Sequence, residues 1–120
     1  MSVILFIDDE PDILELAKHI FNKHNHKIIT ASDGQAGLDI FAKSKDIDII
    51  FCDLQMPIMD GDTFIKNFRK INKTTPVILI TGMLRNDEFP ESPDDGFDGY
   101  LYKPFSINRI NCIVNDLKAA

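Results

Sequence analysis

Five short apolar runs constrain the fold of this 120-residue chain more than any other feature of its sequence. The runs are rich in Ile and Val, and few of their residues are polar. They are Val3–Ile7, Ile28–Ala31, Ile47–Cys52, Val77–Ile80 and Tyr100–Tyr102. Runs of this kind are typical of strands that are buried on both faces of a parallel sheet. The sequence therefore predicts five such strands.

The stretches between the runs carry helical patterns. Pro11 suits the first turn of a helix, and apolar residues then recur at spacings of three and four. Asp33 is suited to cap a second helix, a third follows Asp60-Gly61, and Ser106 can cap the last one. Because strand and helix alternate, the chain is predicted to form βαβ crossovers and a doubly wound α/β fold.

The stretch from Met83 to Gly96 departs from this alternation. It contains Pro90, Pro93 and five acidic residues. Proline inside a helix removes a backbone hydrogen bond and clashes with the preceding turn, so a long regular helix is disfavoured here. We expect an irregular or shortened fourth helix, or an acidic loop.

Size and composition exclude several classes of function. A chain of 120 residues with 44% hydrophobic residues fits one domain, which we expect to span residues 1–120. The net charge of −6 disfavours direct binding to nucleic acid, and no apolar run approaches the ~20 residues that cross a membrane. The two cysteines fit no metal spacing, so a reduced, cytoplasmic setting is expected.

Polar residues follow four of the five predicted strands. Asp8-Asp9-Glu10 comes directly after the first, Asp53 after the third, Thr81 after the fourth and Lys103 after the fifth. In an open α/β sheet, ligands bind beyond the carboxyl ends of the strands. We therefore expect these side chains to converge on one small site.

A cluster of carboxylates at this edge suggests a magnesium site. At about 4 Å, two like charges repel by ~1 kcal/mol in water and by ~4 kcal/mol at an effective dielectric of 20. Mg²⁺ relieves this repulsion and prefers oxygen ligands. Asp53 could then act as a covalent phosphoryl acceptor, since carboxylates serve this role in enzymes. Thr81 and Lys103 could contact the phosphoryl oxygens.

Four motifs together resemble the receiver domain of bacterial two-component response regulators. They follow the family's order and approximate spacing: Asp8-Asp9-Glu10-Pro11, the nine residues from Asp53 to Gly61, Thr81-Gly82 and Lys103-Pro104-Phe105. The resemblance covers essentially the whole chain. It implies a flavodoxin-like sheet with the strand order 2-1-3-4-5. A single-domain regulator and a piece of a larger regulator or hybrid kinase both stay open.

The resemblance also implies a role for each matched residue. Asp53 would be phosphorylated, and Thr81 and Lys103 would be the switch hydroxyl and the phosphate-binding lysine. Mg²⁺ would be held by Asp9 directly, by Asp8 mainly through water, and by further oxygens of Asp53 and of the Gln55 main-chain carbonyl. Tyr100 falls on the family's aromatic switch position, although a half-buried aromatic of the sheet would fit the sequence equally well.

The implied function is a phosphorylation-dependent signalling switch. A histidine kinase or a histidine phosphotransfer protein would donate the phosphoryl group. The face formed by the family's helix four, strand five and helix five would then change and regulate an unidentified downstream protein, with a phosphorylation-dependent dimer as one outcome. The protein would catalyse its own phosphorylation and slow dephosphorylation without being a turnover enzyme.

Two other functions fit parts of the pattern. A phosphatase with an aspartate nucleophile needs a second acid two residues after it, and Gln55 occupies that position. A degenerate receiver would serve only as an interaction module. The complete set of acids, with Thr81 and Lys103, argues against that alternative.

Overall fold

Strands and helices alternate along the computed structural model, which describes residues 2–44, 46–54, 56–81, 96–102 and 107–119. The strands are β1 (Val3–Ile7), β2 (Lys27–Ala31), β3 (Ile49–Asp53), β4 (Val77–Thr81) and β5 (Gly99–Tyr102). The helices are α1 (Pro11–Lys23), α2 (Gly34–Lys43), α3 (Gly61–Ile71) and α4 (Ile107–Ala119). Among the described residues, no helix has the length and apolar character needed to cross a membrane.

The five strands form one parallel sheet in the order β2-β1-β3-β4-β5. This confirms the predicted flavodoxin-like topology. The predicted strands agree with the observed ones to within two residues. The largest difference is in β3, which begins at Ile49 and not at Ile47. Asp48 still contacts β1, because its carboxylate accepts the Val3 N–H at 2.7 Å.

Two apolar layers cover the two faces of the sheet. In the first, strand residues pack with Phe41 of α2 and with Phe64 and Phe68 of α3. In the second, they pack with Phe21 of α1 and Ile110 of α4. Aromatic rings fill both layers, and the Phe41 and Phe68 rings meet edge to face with centroids 4.8 Å apart. The sheet is therefore buried on both faces, as the apolar runs predict.

The helix starts follow local signals in the sequence. Pro11 is the first residue of α1. Asp33 caps α2 by accepting the Ala36 N–H at 2.8 Å, and Asp60 caps α3 by accepting the Thr63 N–H at 2.8 Å. The predicted cap at Ser106 and, apart from Gly96, the predicted irregular stretch Met83–Gly96 lie outside the described residues.

Candidate functional site

The two buried carboxylates of the candidate site stand on neighbouring strands. Asp53 ends β3, and Asp8 follows β1, where its N–H donates to the Ala31 carbonyl at 3.1 Å. Ile7 is the partner of Cys52 in the β1–β3 register, so the next residues on the two strands are Asp8 and Asp53. Neighbouring strands lie about 4.8 Å apart. The side chains are buried, with 0% of Asp8 and 5% of Asp53 exposed.

Three consecutive acids at the end of β1 can offer oxygens to one cation. One carboxylate oxygen each from Asp8, Asp9 and Glu10 lies within 4.8 Å of the others. The backbone N–H of Glu10 donates to Oδ1 of Asp8 at 3.0 Å, which folds the chain tightly at this point. Hard oxygen donors suit Mg²⁺, so Asp8 and Asp9 fit the predicted metal. Glu10 was expected at this edge of the sheet, but it was not predicted as a metal ligand.

The loop after Asp53 folds back against the end of β3. The N–H of Gly61 donates to the Leu54 carbonyl at 2.9 Å, which joins the start of α3 to the loop. Within the loop, the Met59 N–H donates to the Pro57 carbonyl at 2.6 Å, and Ile58 between them has a φ of 67°. Ile58 is 84% exposed. This left-handed turn had no signal in the sequence, since Gly or Asn is the usual residue there.

An acidic cavity lies beside the strand end. Its volume is about 540 Å³, and it is lined by Asp9, Leu54, Met56, Asp60 and Asp62. The Thr63 N–H, followed by the Thr63 side chain, holds the pKa of Asp60 below its ordinary value, so this carboxylate is charged at neutral pH. Asp62 was not predicted as a site residue, although an acid in the first turn of a helix is a common sequence signal.

Cys52 lies in the core next to the site, and the charges of the site affect the pKa of its thiol. Burial raises the pKa of its thiol well above the ordinary value, and the charges of Asp53 and Asp8 raise it further. The thiol contacts the backbone carbonyl of Asp53, with Sγ 3.4 Å from the oxygen. Cys52 is therefore a buried core residue whose thiol is neutral at neutral pH.

The other predicted residues are described only in part. Thr81 ends β4 opposite Tyr102, and Leu54 donates its N–H to the neighbouring Ile80 carbonyl at 3.0 Å. The Thr81 backbone therefore reaches the same sheet edge as Asp53. Tyr100 pairs with Leu79 and packs, half-buried, against the first apolar layer. Lys103 and Gln55 lie outside the described residues.

Several protein families share this topology, and comparison with family models shows which of them the chain matches. The family model described as the response regulator receiver domain matches residues 4–115. The chain belongs to this family. The receiver fold accounts for both the strand order and the position of the acids at the carboxyl edge of the sheet.

Several known receiver-containing proteins are similar to this chain. The response regulator SaeR of Staphylococcus aureus is 28% identical over 117 residues, which are 98% of this chain and 50% of SaeR. The chain thus spans about half the length of that relative. The structure of TrrA from Thermotoga maritima in complex with Mg²⁺-BeF has a TM-score of 0.84 and 30% identity, and covers 98% of this chain and 99% of the other. The complex of histidine kinase ThkA with TrrA gives a TM-score of 0.84 and 31% identity, with 98% of each chain covered.

Proposed function

We propose that this receiver domain is a signalling switch that is phosphorylated on Asp53. One observation carries the proposal: the buried Asp53 carboxylate ends β3 directly beside the strand end that bears Asp8 and Asp9. A carboxylate in this position can attack a phosphoryl group that enters from the open carboxyl edge of the sheet. A phosphorus–oxygen bond to Asp53 forms while the bond from phosphorus to the donor breaks.

The proposed cofactor is Mg²⁺. Its protein ligands would be Asp9, Asp53 and the main-chain carbonyl of Gln55, with Asp8 acting mainly through water. When bound, the ion supplies positive charge that offsets the carboxylates and lets an anionic phosphoryl donor approach. Mg²⁺ was captured on TrrA, a receiver of similar fold, which supports the assignment.

Groups at the ends of β4 and β5 would bind the phosphoryl group and so respond to phosphorylation. The phosphoryl group adds about −1.5 to −2 charges, which the Thr81 hydroxyl and the Lys103 ammonium would contact. Shifting a two-state population from 1:99 to 99:1 takes about 5.5 kcal/mol, and hydrogen bonds to charged groups contribute about 1.5–3 kcal/mol each. Movement of Tyr100 would then alter the face that the family builds from helix four, β5 and the last helix, here α4.

The proposed partners are proteins of a cytoplasmic two-component pathway. The complex of ThkA with TrrA supports a histidine kinase as donor, and a histidine phosphotransfer protein has the same donor chemistry. The output would be an altered contact with a downstream protein or a phosphorylation-dependent dimer. Asp53 would gain and slowly lose one phosphoryl group per cycle, so the domain would act as a switch and not as a turnover enzyme.

Intact mass after incubation with acetyl phosphate and Mg²⁺ tests the proposal. We expect one phosphoryl adduct, which is absent in Asp53→Asn and retained in Asp46→Asn, a control in an exposed turn. Omission of Mg²⁺ should prevent the adduct. Failure of acetyl phosphate and of every tested phosphohistidine protein to label the chain would instead indicate an interaction module. Continuous phosphate release over many turnovers would indicate a phosphatase.

A further inference from the structure

We propose that Glu10 is an outer-shell carboxylate of the magnesium site, holding a water molecule of the ion and raising its affinity. The inference rests on the proposed function, since it assumes that Asp8 and Asp9 bind Mg²⁺. It assigns a positioning role to a residue of this chain that lies outside the proposed set of direct ligands.

The position of Glu10 carries the inference. One of its carboxylate oxygens lies within 4.8 Å of ligand atoms of both Asp8 and Asp9. Asp8 is buried, whereas Asp9 and Glu10 are exposed. The group therefore runs from the protein interior to solvent, and Glu10 lies on its solvent side.

The coordination chemistry of Mg²⁺ favours an outer-shell role over direct ligation. The ion is octahedral with ligands at about 2.0–2.1 Å, takes one or two carboxylates directly and keeps several waters. Asp9 and Asp53 already fill the proposed direct carboxylate positions. Separations of up to 4.8 Å leave room for a water that binds the ion and donates to Glu10. Outer-shell acceptors of this kind orient metal-bound groups and strengthen binding.

The backbone preorganises Glu10 for this role. Its N–H donates to Oδ1 of Asp8 at 3.0 Å, which ties the two residues together. Pro11 follows it, and a residue before proline is held away from the helical region. Glu10 accordingly has φ −91° and ψ 115°, an extended conformation at the start of α1. The direction in which its side chain leaves the backbone is therefore set before any ion binds.

Binding of the metal alone, with no phosphoryl donor, tests the inference. Mn²⁺ binding would be followed by electron paramagnetic resonance, with Mg²⁺ added to displace it. We expect Glu10→Gln to keep one ion per chain and to weaken both ions about tenfold. Asp12→Asn is the matched control: it removes one negative charge from the exposed first turn of α1 without touching the three-acid group. Its effect should stay below about twofold, because exposed charges are screened.

One further variant separates failure of the inference from failure of the proposed function. Asp9→Asn removes a proposed direct ligand and should weaken the ion far more than Glu10→Gln does. If wild type binds no ion, or if Asp9→Asn binds like wild type, the magnesium site itself is wrong and the role of Glu10 falls with it. If Asp9→Asn is defective while Glu10→Gln matches Asp12→Asn, only the role of Glu10 is wrong. Complete loss of the ion in Glu10→Gln would make Glu10 a direct ligand and would also overturn the outer-shell assignment.

Discussion

Gly61 lies so close to Asp53 that a Cβ at Gly61 would stand 2.7 Å from the Asp53 carbonyl oxygen. The Cα of Leu54 would be 3.0 Å away, so backbone surrounds the position on two sides. Neither atom can move without displacing the end of β3. The absence of a side chain at Gly61 is what lets α3 begin directly against the loop that follows Asp53.

We therefore expect Gly61→Ala to damage both stability and phosphorylation. The free energy of unfolding should fall by about 1–3 kcal/mol, the usual cost of overpacking. The rate of phosphorylation by acetyl phosphate should fall as well, because Asp53 would be displaced. Urea unfolding and time-resolved intact mass measure the two effects. In Gly99→Ala, the added Cβ meets only the flexible end of Ile78 at 3.1 Å, so this control should change the phosphorylation rate little.

Replacement of Ile58 by glycine is predicted to raise the free energy of unfolding, whereas Gly61→Ala should lower it. A left-handed conformation costs a non-glycine residue roughly 1–2 kcal/mol, whereas glycine costs about 0.5–1 kcal/mol in lost chain entropy. Ile58 has a φ of 67° and is 84% exposed, so its replacement loses little burial. Ile58→Gly should raise the free energy of unfolding by about 0.5–1 kcal/mol. Ile71→Gly, at an exposed position in the last turn of α3, should lower the free energy of unfolding. A loss of stability in both variants would show that the backbone at Ile58 is not strained.

Most of the fold was predictable because its signals are local. Apolar runs marked the strands, and Asp33 and Asp60 marked the starts of two helices. These features depend on residues that are close together in the sequence. The limits of β3 were less clear, since Asp48 interrupts its apolar run yet contacts β1 through its own carboxylate.

The candidate site was predictable only at the level of strand ends. Asp8 and Asp53 were expected to be neighbours because parallel strands end at one edge, and the β1–β3 register bears this out. The position of Glu10 depends on a turn that is fixed by a hydrogen bond to Asp8, which the sequence does not encode as a motif. The turn at Ile58 contradicts local preference and could not have been predicted from its residues.

The difference in burial between Cys52 and Cys112 predicts that a thiol reagent will label them at different rates. It is buried with a raised pKa, whereas Cys112 is exposed. In the native protein we expect a thiol reagent to label Cys112 rapidly and Cys52 slower by a factor on the order of 10³ or more, because labelling of Cys52 requires opening of the core. Both should react rapidly in concentrated urea. Cys112→Ser isolates the slow reaction, and rapid labelling of that variant in native buffer would contradict the burial.

The raised pKa of Cys52 also determines the direction in which the stability of the protein should change with pH. The native state favours the neutral thiol, so its contribution to stability is fully present below the unfolded-state pKa of about 8.5. It should be lost progressively as the pH rises above that value. Urea unfolding of wild type and Cys52→Ala between neutral and alkaline pH measures this. The stability difference between the two should narrow as the pH rises, and a constant difference would contradict the assignment.

Arg69 links the end of α3 to the start of β5. Its Nε donates to the Gly96 carbonyl at 3.0 Å, and its Nη1 donates to the Thr75 carbonyl at 2.8 Å. Its Nη2 lies 2.8 Å from Oδ2 of Asp98, the oxygen that also accepts the Val77 N–H at 2.9 Å. The guanidinium therefore joins three chain segments through a planar set of donors that lysine cannot reproduce.

These contacts predict that backbone carbonyls, more than the ion pair, account for the effect of Arg69. Arg69→Lys keeps the charge but loses the planar set of donors. It should lower the free energy of unfolding by about 1.5–3 kcal/mol. Asp98→Asn removes the ion pair but keeps an oxygen for Val77, and should cost less than about 1 kcal/mol, because the Asp98 side chain is 45% exposed. Urea unfolding of the two variants and of their combination measures both costs. Equal losses in the two single variants, or a near-native Arg69→Lys, would show that the charge pair is the main interaction at this junction.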